Sequence, residues 1–205
     1  MIELNKEGGI WTVTLNRPDK ANALTEAMLT ELAEIAEAAQ EARAFILTGA
    51  GKVFSAGADL EAARAGLAVS PVWERLSTAI AALPGLSIAA LNGTVAGGAM
   101  GMVLACDLRI AVPGAKAFYP VMKLGFLPQP SDPPRLAALV GPSHAKMILM
   151  AGQKVDTQTA LNWGLFDRVV DPDALLQTAS DLATDTVAAD PAIAKGIKAL
   201  CQGAS

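Results

Sequence analysis

The chain has 205 residues, of which 52% are hydrophobic and 18% charged, and its formal net charge is −4. That is enough apolar material for one sizeable core, and no Pro/Ser/Gly linker or block of like charge divides it, so one domain over 1–205 is expected. The acidic balance gives no reason to expect nucleic acid or an anionic membrane as partner, although a single pocket could still take a small anion.

The amino terminus, MIELNKEGG, lacks the basic and apolar regions of a secretory signal. The longest uncharged apolar run, GTVAGGAMGMVLAC, is too short and too glycine-rich to span a bilayer, so a soluble, cytoplasmic protein is expected. Cys106 and Cys201 stand in no redox or metal-ligand spacing, which speaks against a disulfide scaffold and fits a reducing compartment.

In chain order, IEL and GIWTVTLN are β-prone runs around a glycine turn and predict a hairpin. From Thr25, read as an N-cap, Met28, Leu29, Leu32, Ile35, Ala36 and Ala39 recur at helical spacing, and the apolar AFILTG follows as a strand. Strand, helix and strand at this spacing predict a βαβ crossover. PVWERLSTAIAAL reads as helix, LSIAALNG as a buried strand, GGAMGMVLACD as a helix start and LRIAV as a strand. Beyond Ser131 helices dominate, in SDPPRLAALVG, SHAKMILMAG, TQTALNWG and PDALLQTASDLATDTVAA, and only DRVV reads as strand. The expected architecture is α/β, with a core to about residue 135 and a helical part over about 136–205. No internal repeat and no low-complexity segment interrupts it.

Several motifs fall away. His144 is the single histidine and reads as a surface helix residue, so histidine metal sites and a Ser-His-Asp triad have almost no material. TGAGKVF lacks the first glycine and the Ser or Thr of a phosphate loop. Gly93, Gly97 and Gly101 have the spacing of a membrane dimer face but no spanning segment around them.

Two strand-to-helix junctions survive, FILTGAGKVFSAGADL and SIAALNGTVAGGAMG. Free N–H groups at a helix start, on backbone with little side chain in the way, can hold an anion, and two such junctions could hold one developing oxyanion. Tight turns and close helix-to-strand packing would explain the same glycines equally well.

VTLNRPDKANALTEAML, GKVFSAGADL, LNGTVAGGAMGMVLACDLRIA, MKLGFLP and WGLFDRVV, in order from about residue 2 to residue 200, resemble the crotonase superfamily, also called the enoyl-CoA hydratase/isomerase family. The resemblance implies a crotonase-like (ββα) spiral core with a helical C-terminal part shorter than usual. It implies a coenzyme A thioester as substrate, no metal or redox cofactor, a homotrimer or dimer of trimers, and a place among the lyases and isomerases of fatty acid metabolism. The two junctions would then be an oxyanion hole in which the backbone N–H groups of Ala58 and Gly98 meet a thioester carbonyl, worth roughly 3 kcal/mol per donor. Ala56, Gly57, Asp59 and the KAN backbone around Ala21 would be the substrate-binding positions.

The departures from the family pattern bear on the reaction. Where the resemblance leads one to expect two catalytic glutamates, this chain carries Gly101 and Val121, so two-glutamate hydration is not expected. Three other residues are candidates. Gln129 follows the proline of GFLPQ and could hydrogen-bond a substrate or a water. Tyr119, the only tyrosine, could donate to a carboxylate or enolate, or simply pack in the core. Asp132 precedes PP and reads as an N-cap. A decarboxylase or isomerase using a non-glutamate residue, a non-catalytic acyl-CoA binder and a diketone hydrolase stand as alternatives, and the single histidine speaks against the last.

Overall fold

Gly8 and Gly9, both at positive φ, turn the chain between β1 (Ile2–Glu7) and β2 (Ile10–Leu15), which pair antiparallel from Ile2 opposite Leu15 to Glu7 opposite Ile10. A two-residue turn with both φ values positive matches the twist of the strands it joins. The computed structural model describes residues 1–202. Helix α1 (Glu26–Ala38) begins where expected: the Thr25 side chain accepts the Met28 N–H, and Met28, Leu29, Leu32, Ala33 and Ala36 form the buried face. Strand β3 (Ala44–Gly49) then lies parallel to β2 and completes the crossover.

From β3 the chain repeats one step. Each long strand is followed at a bend by a short strand in a second sheet and then by a helix. The first step is β3, β4 (Val53–Ser55), α2 (Leu60–Arg64) and α3 (Val72–Ala81). The second is β5 (Leu86–Leu91), β6 (Thr94–Ala96) and α4 (Ala99–Ala105). The third is β7 (Leu108–Ala111), β8 (Lys116–Phe118) and α5 (Val121–Leu124). The chain continues through α6 (Asp132–Leu149), β9 (Val155–Asp156), α7 (Thr157–Asn162), β10 (Arg168–Val169), α8 (Leu175–Ala188) and α9 (Pro191–Gln202).

The larger sheet has the order β1-β2-β3-β5-β7-β10 and the smaller one β4-β6-β8-β9, so two strands from the later half of the chain return to the sheets. Strands β3 and β5 are buried on both faces and accordingly read as unbroken apolar runs. All seven residues of α4 are buried, which places the helix start at Gly98 deep in the molecule.

SDPPRLAALVG and SHAKMILMAG form two helical segments, as expected, which meet within α6 at Gly141, where the backbone (φ 78°, ψ 160°) is not helical, just before Pro142. Two other expectations need correction. His144 is half-buried and stacks on Trp163 at 4.0 Å between ring centres, so it is a packing residue and not a surface one. The short strands β4, β6, β8 and β9, two or three residues each, carry no hydrophobic period long enough to read.

Candidate functional site: two peptide donors over an apolar pocket

The first junction is built on a single parallel bridge between Leu24 and Ala58. Leu24 N–H donates to the Gly57 carbonyl at 2.8 Å, and Asp59 N–H donates to the Leu24 carbonyl at 2.8 Å. A parallel bridge of this kind uses the groups on either side of Ala58 and leaves the Ala58 N–H pointing away from it. The loop beneath is held by Asn22, fully buried, whose amide donates to the carbonyls of Ala50 (2.9 Å) and Val53 (2.8 Å) and accepts the Arg17 N–H.

The second junction touches the first. Gly57 has φ 90°, and a Cβ there would lie 2.8 Å from the Ala96 carbonyl oxygen and 3.4 Å from Gly97 Cα. Gly97 has φ 58°, and its N–H is used by the Phe118 carbonyl at 3.0 Å. Only glycine combines that left-handed backbone with so close an approach. The residue after each of these glycines is a donor candidate, Ala58 in one junction and Gly98 in the other. Among the described residues neither N–H is engaged by a backbone or side-chain acceptor. Two unspent peptide dipoles on touching turns are chemically able to receive an oxygen that gains negative charge.

Both donors line a pocket of about 380 Å³ together with Ala56, Tyr119, Val121 and Gln129. Trp73, on α3, lies against Gly98 so closely that a Cβ there would be 3.1 Å from its ring. The Trp73 indole N–H donates to the Leu67 carbonyl at 2.8 Å, which fixes the ring. Leu60, Leu124 and Leu127 also line the pocket and remain exposed, giving it an apolar rim.

Behind Tyr119 lies an acidic group. Tyr119 is buried, and its hydroxyl donates to Asp132 Oδ2 at 2.8 Å. Asp132 is fully buried, and its other oxygen, Oδ1, has no partner among the described residues. Burial pushes the Asp132 carboxyl up to about 6, opposed by the Tyr119 hydrogen bond and Arg135 and reinforced by Glu74. Burial, then the Asp132 charge, raises the Tyr119 phenol. Glu74 accepts from the Ser131 hydroxyl and, at 3.3 Å, from the Ser131 N–H.

This overturns the reading of Asp132 as an N-cap. Ser131 holds that position, and Asp132, the first residue of α6, turns its carboxyl inward. The reason is Tyr119, which supplies a partner that competes with the helix N–H groups.

Of the residues singled out in the sequence, Ala56, Ala58, Gly98, Tyr119 and Gln129 line this pocket, and Ala21, Gly57 and Asp59 do not. The Ala21 carbonyl accepts the Ala56 N–H at 3.0 Å. Asp59 caps α2 through the Glu61 N–H at 3.0 Å, and Arg17 at 2.8 Å holds its carboxyl below the ordinary range. Trp73, Glu74 and Asn22 were not singled out as site residues. Trp73 had a signal, as an aromatic on the apolar face of VWERL, and Asn22 lay in the KAN segment that was read for its backbone alone, whereas Glu74 had none.

A larger cavity of about 750 Å³ lies elsewhere, between α4, β7 and α9. Of its two acids, Asp185 is exposed and Asp107 is spent on Ser87 (2.9 Å) and Lys198 (2.7 Å), and burial pushes its Cys106 thiol up to about 12. Neither group suits carbonyl chemistry, so size does not make this cavity the reactive site. No cluster of three metal-ligating side chains occurs among the described residues.

The ββα spiral thus leaves two unengaged peptide N–H groups beside an apolar pocket. The chain belongs to the enoyl-CoA hydratase/isomerase family, whose model matches residues 5–204, and it is an acyl-CoA-binding protein of that type with the crotonase fold. It is 36% identical over 207 residues to a short-chain-enoyl-CoA hydratase of Clostridium acetobutylicum, covering 95% of this chain and 78% of that protein. It is 33% identical to a 1,2-epoxyphenylacetyl-CoA isomerase of Escherichia coli, over 86% of this chain and 72% of the other. The structure of Pseudomonas aeruginosa DspI superposes with a TM-score of 0.90 at 34% identity, covering 98% of this chain and 86% of that one. No helix among the described residues is long and apolar enough to cross a membrane.

Proposed function

We propose that the protein binds an acyl-CoA thioester with its carbonyl oxygen between the N–H groups of Ala58 and Gly98, and stabilises the enolate that forms there. The observation that carries this is the pair of unspent donors that follow two touching left-handed glycines and open on an apolar pocket. Preorganised peptide dipoles need no reorganisation as charge develops, so they favour the enolate over the neutral thioester. The site needs no metal or redox cofactor for this. Ala56 and the Ala21 backbone it is bonded to form the coenzyme side of the site, and Gln129 contacts the acyl side.

Hydration by paired glutamates is not part of the proposal, because Gly101 and Val121 carry no carboxyl. In this reading the protein acts in the cytoplasm, in fatty acid metabolism, among the isomerases and lyases of its family. The exposed Ile193, Ile197 and Leu200 on α9 support self-association, as a homotrimer or a dimer of trimers. Calorimetry with butyryl-CoA and free coenzyme A, alongside mass spectrometry after incubation with crotonyl-CoA, tests the proposal. Saturable binding that is stronger for the thioester, with little hydration, is expected. Equal binding of coenzyme A and its thioester would overturn the role of the carbonyl, and rapid hydration of crotonyl-CoA would overturn the exclusion.

A further inference from the structure

The place where a side chain at position 101 would stand is occupied. Gly101 lies in the middle of α4, three residues after Gly98, which on a helix is about 4.5 Å along the axis from that donor. A Cβ built on Gly101 would lie 2.8 Å from Asp132 Oδ1 and 3.1 Å from Oδ2. The volume that a side chain on α4 would take here is therefore filled by a carboxyl delivered from the start of α6. It is fully buried, one of its oxygens is unpartnered, and the other holds the hydroxyl of a tyrosine that lines the pocket. A core that only needed filling would have no use for a carboxylate with an orphaned oxygen.

We propose that Tyr119 and Asp132 form a proton-transfer unit for the α-carbon of a neutral acyl thioester, with the Tyr119 oxygen meeting the substrate and Asp132 taking up the proton behind it. This rests on the thioester reading of the Ala58 and Gly98 donors. Tyr119 is the catalytic residue of the unit and Asp132 the group that positions and recharges it. The Cα–H bond breaks and its electron pair forms a carbon–carbon π bond, while the carbonyl π pair moves to the thioester oxygen. The substrate proton lands on the Tyr119 oxygen as the phenol's own proton crosses to Asp132 Oδ2. Reversal returns a proton to Cα. With a β,γ-unsaturated acyl group the proton returns to the γ-carbon instead and the double bond moves into conjugation. No atom is added or lost, so one acid–base unit suffices where hydration would also need a group to activate water.

The same surroundings select against an acyl group bearing its own carboxylate. Asp132 is faced by Tyr119 from the segment after β8, by Glu74 from α3 and by Arg135 from its own helix, while α4 presents only Gly101. Arg64, an exposed residue of α2, is the one cationic side chain lining the pocket among the described residues. A malonyl-type thioester would place its anion in a pocket backed by two acids, so decarboxylation is disfavoured relative to α-proton transfer.

The test is deuterium uptake by butyryl-CoA in D2O, read by mass spectrometry, with calorimetry on the same protein. The wild-type chain is expected to incorporate deuterium at a rate that falls as pH drops below about 6, where the buried carboxyl fills with its proton. Tyr119→Phe and Asp132→Asn are each expected to lose about 100-fold or more in exchange, with butyryl-CoA affinity retained and, for Asp132→Asn, the acid limb gone. A merely structural role would leave that limb in place. Exchange undiminished in Tyr119→Phe would overturn the inference. So would wild-type binding without exchange, or exchange independent of pH through the limb, and the last two need no folded variant. Absence of binding would overturn the thioester reading as well and so separates the two failures. Release of carbon dioxide from methylmalonyl-CoA faster than exchange of butyryl-CoA would overturn the substrate class.

Discussion

The two walls of the pocket are made in opposite ways. The donor wall, Gly57–Ala58 and Gly97–Gly98, is backbone: two short segments whose glycines allow φ values of 90° and 58° and let the turns touch. The acid wall is side chain: Tyr119 after β8, Asp132 from α6 and Glu74 from α3 meet from positions up to 58 residues apart, as the Glu74–Asp132 numbering shows. The first wall places partial charges that no protonation changes. The second places a proton that the surrounding pH can add or remove. A site that must hold an oxyanion steadily and move a proton reversibly needs one wall of each kind.

The largest expected effect comes from deleting one donor while leaving the wall in place. Gly98 has φ −59°, which proline also adopts, so Gly98→Pro removes the N–H with little demand on that angle. The cost is expected to be about 100- to 1000-fold in butyryl-CoA exchange, the usual effect of losing one oxyanion donor. Gly98→Ala is the control. It meets the same Trp73 ring at 3.1 Å but keeps the N–H, and so should retain most of the activity. Equal losses in both variants would show that crowding against Trp73, and not the donor, is responsible.

The difference between the walls also explains what could be read before the structure. The two strand-to-helix junctions were legible because the glycines that shape them sit together in SAGADL and VAGGAMG, and the family resemblance is what singled out Ala58 and Gly98 within them. The β2–α1–β3 crossover was legible for the same reason, since the Thr25 cap and the 3.6-residue pattern of α1 lie within one window. Asp132 was read as a cap because SDPP is a good helix start taken alone. Its true partner, Tyr119, is 13 residues away across a loop, and Gly101, which stands beside it, offers no side chain to reveal the contact. Glu74 is further still in the chain. Local pattern has no access to such meetings, because what brings the residues together is the packing of α3, α4 and α6.

A double-variant cycle tests whether positions 101 and 132 share one volume. Gly101→Glu alone forces its side chain into Asp132, and overpacking of that kind costs about 1–3 kcal/mol of stability. Asp132→Gly alone leaves a hole and an unpartnered Tyr119 hydroxyl. Combined, the two changes move the carboxyl back to α4, so the double variant should be more stable than the sum of the single losses predicts, by about 1–3 kcal/mol of coupling. Denaturant unfolding of the four proteins measures it. Strict additivity would mean that the two positions do not compete for space, and the acid wall would lose its rationale.

The last effect expected concerns stability alone and follows from the burial of Asp132. In the unfolded chain its carboxyl titrates near 3.8, and in the fold it is pushed up to about 6. Below pH 3.8 both states carry the proton and Asp132 adds no pH dependence. Between the two values the unfolded chain ionises first, so stability contributed by this group is lost as pH rises, and above about 6 the buried charge imposes its full penalty, on the order of 2–3 kcal/mol. Asp132→Asn removes the titration and keeps an oxygen to accept from Tyr119. Its amide places a donor where Oδ1 now has no partner, a cost that does not vary with pH. The stability of Asp132→Asn minus that of the wild type should therefore climb from pH 4 to pH 6 and then level off, and the exchange activity of the wild type should rise over the same range. A flat difference across that range would mean that Asp132 holds an ordinary carboxyl, and the acid wall would then carry no proton at the pH where the donor wall works.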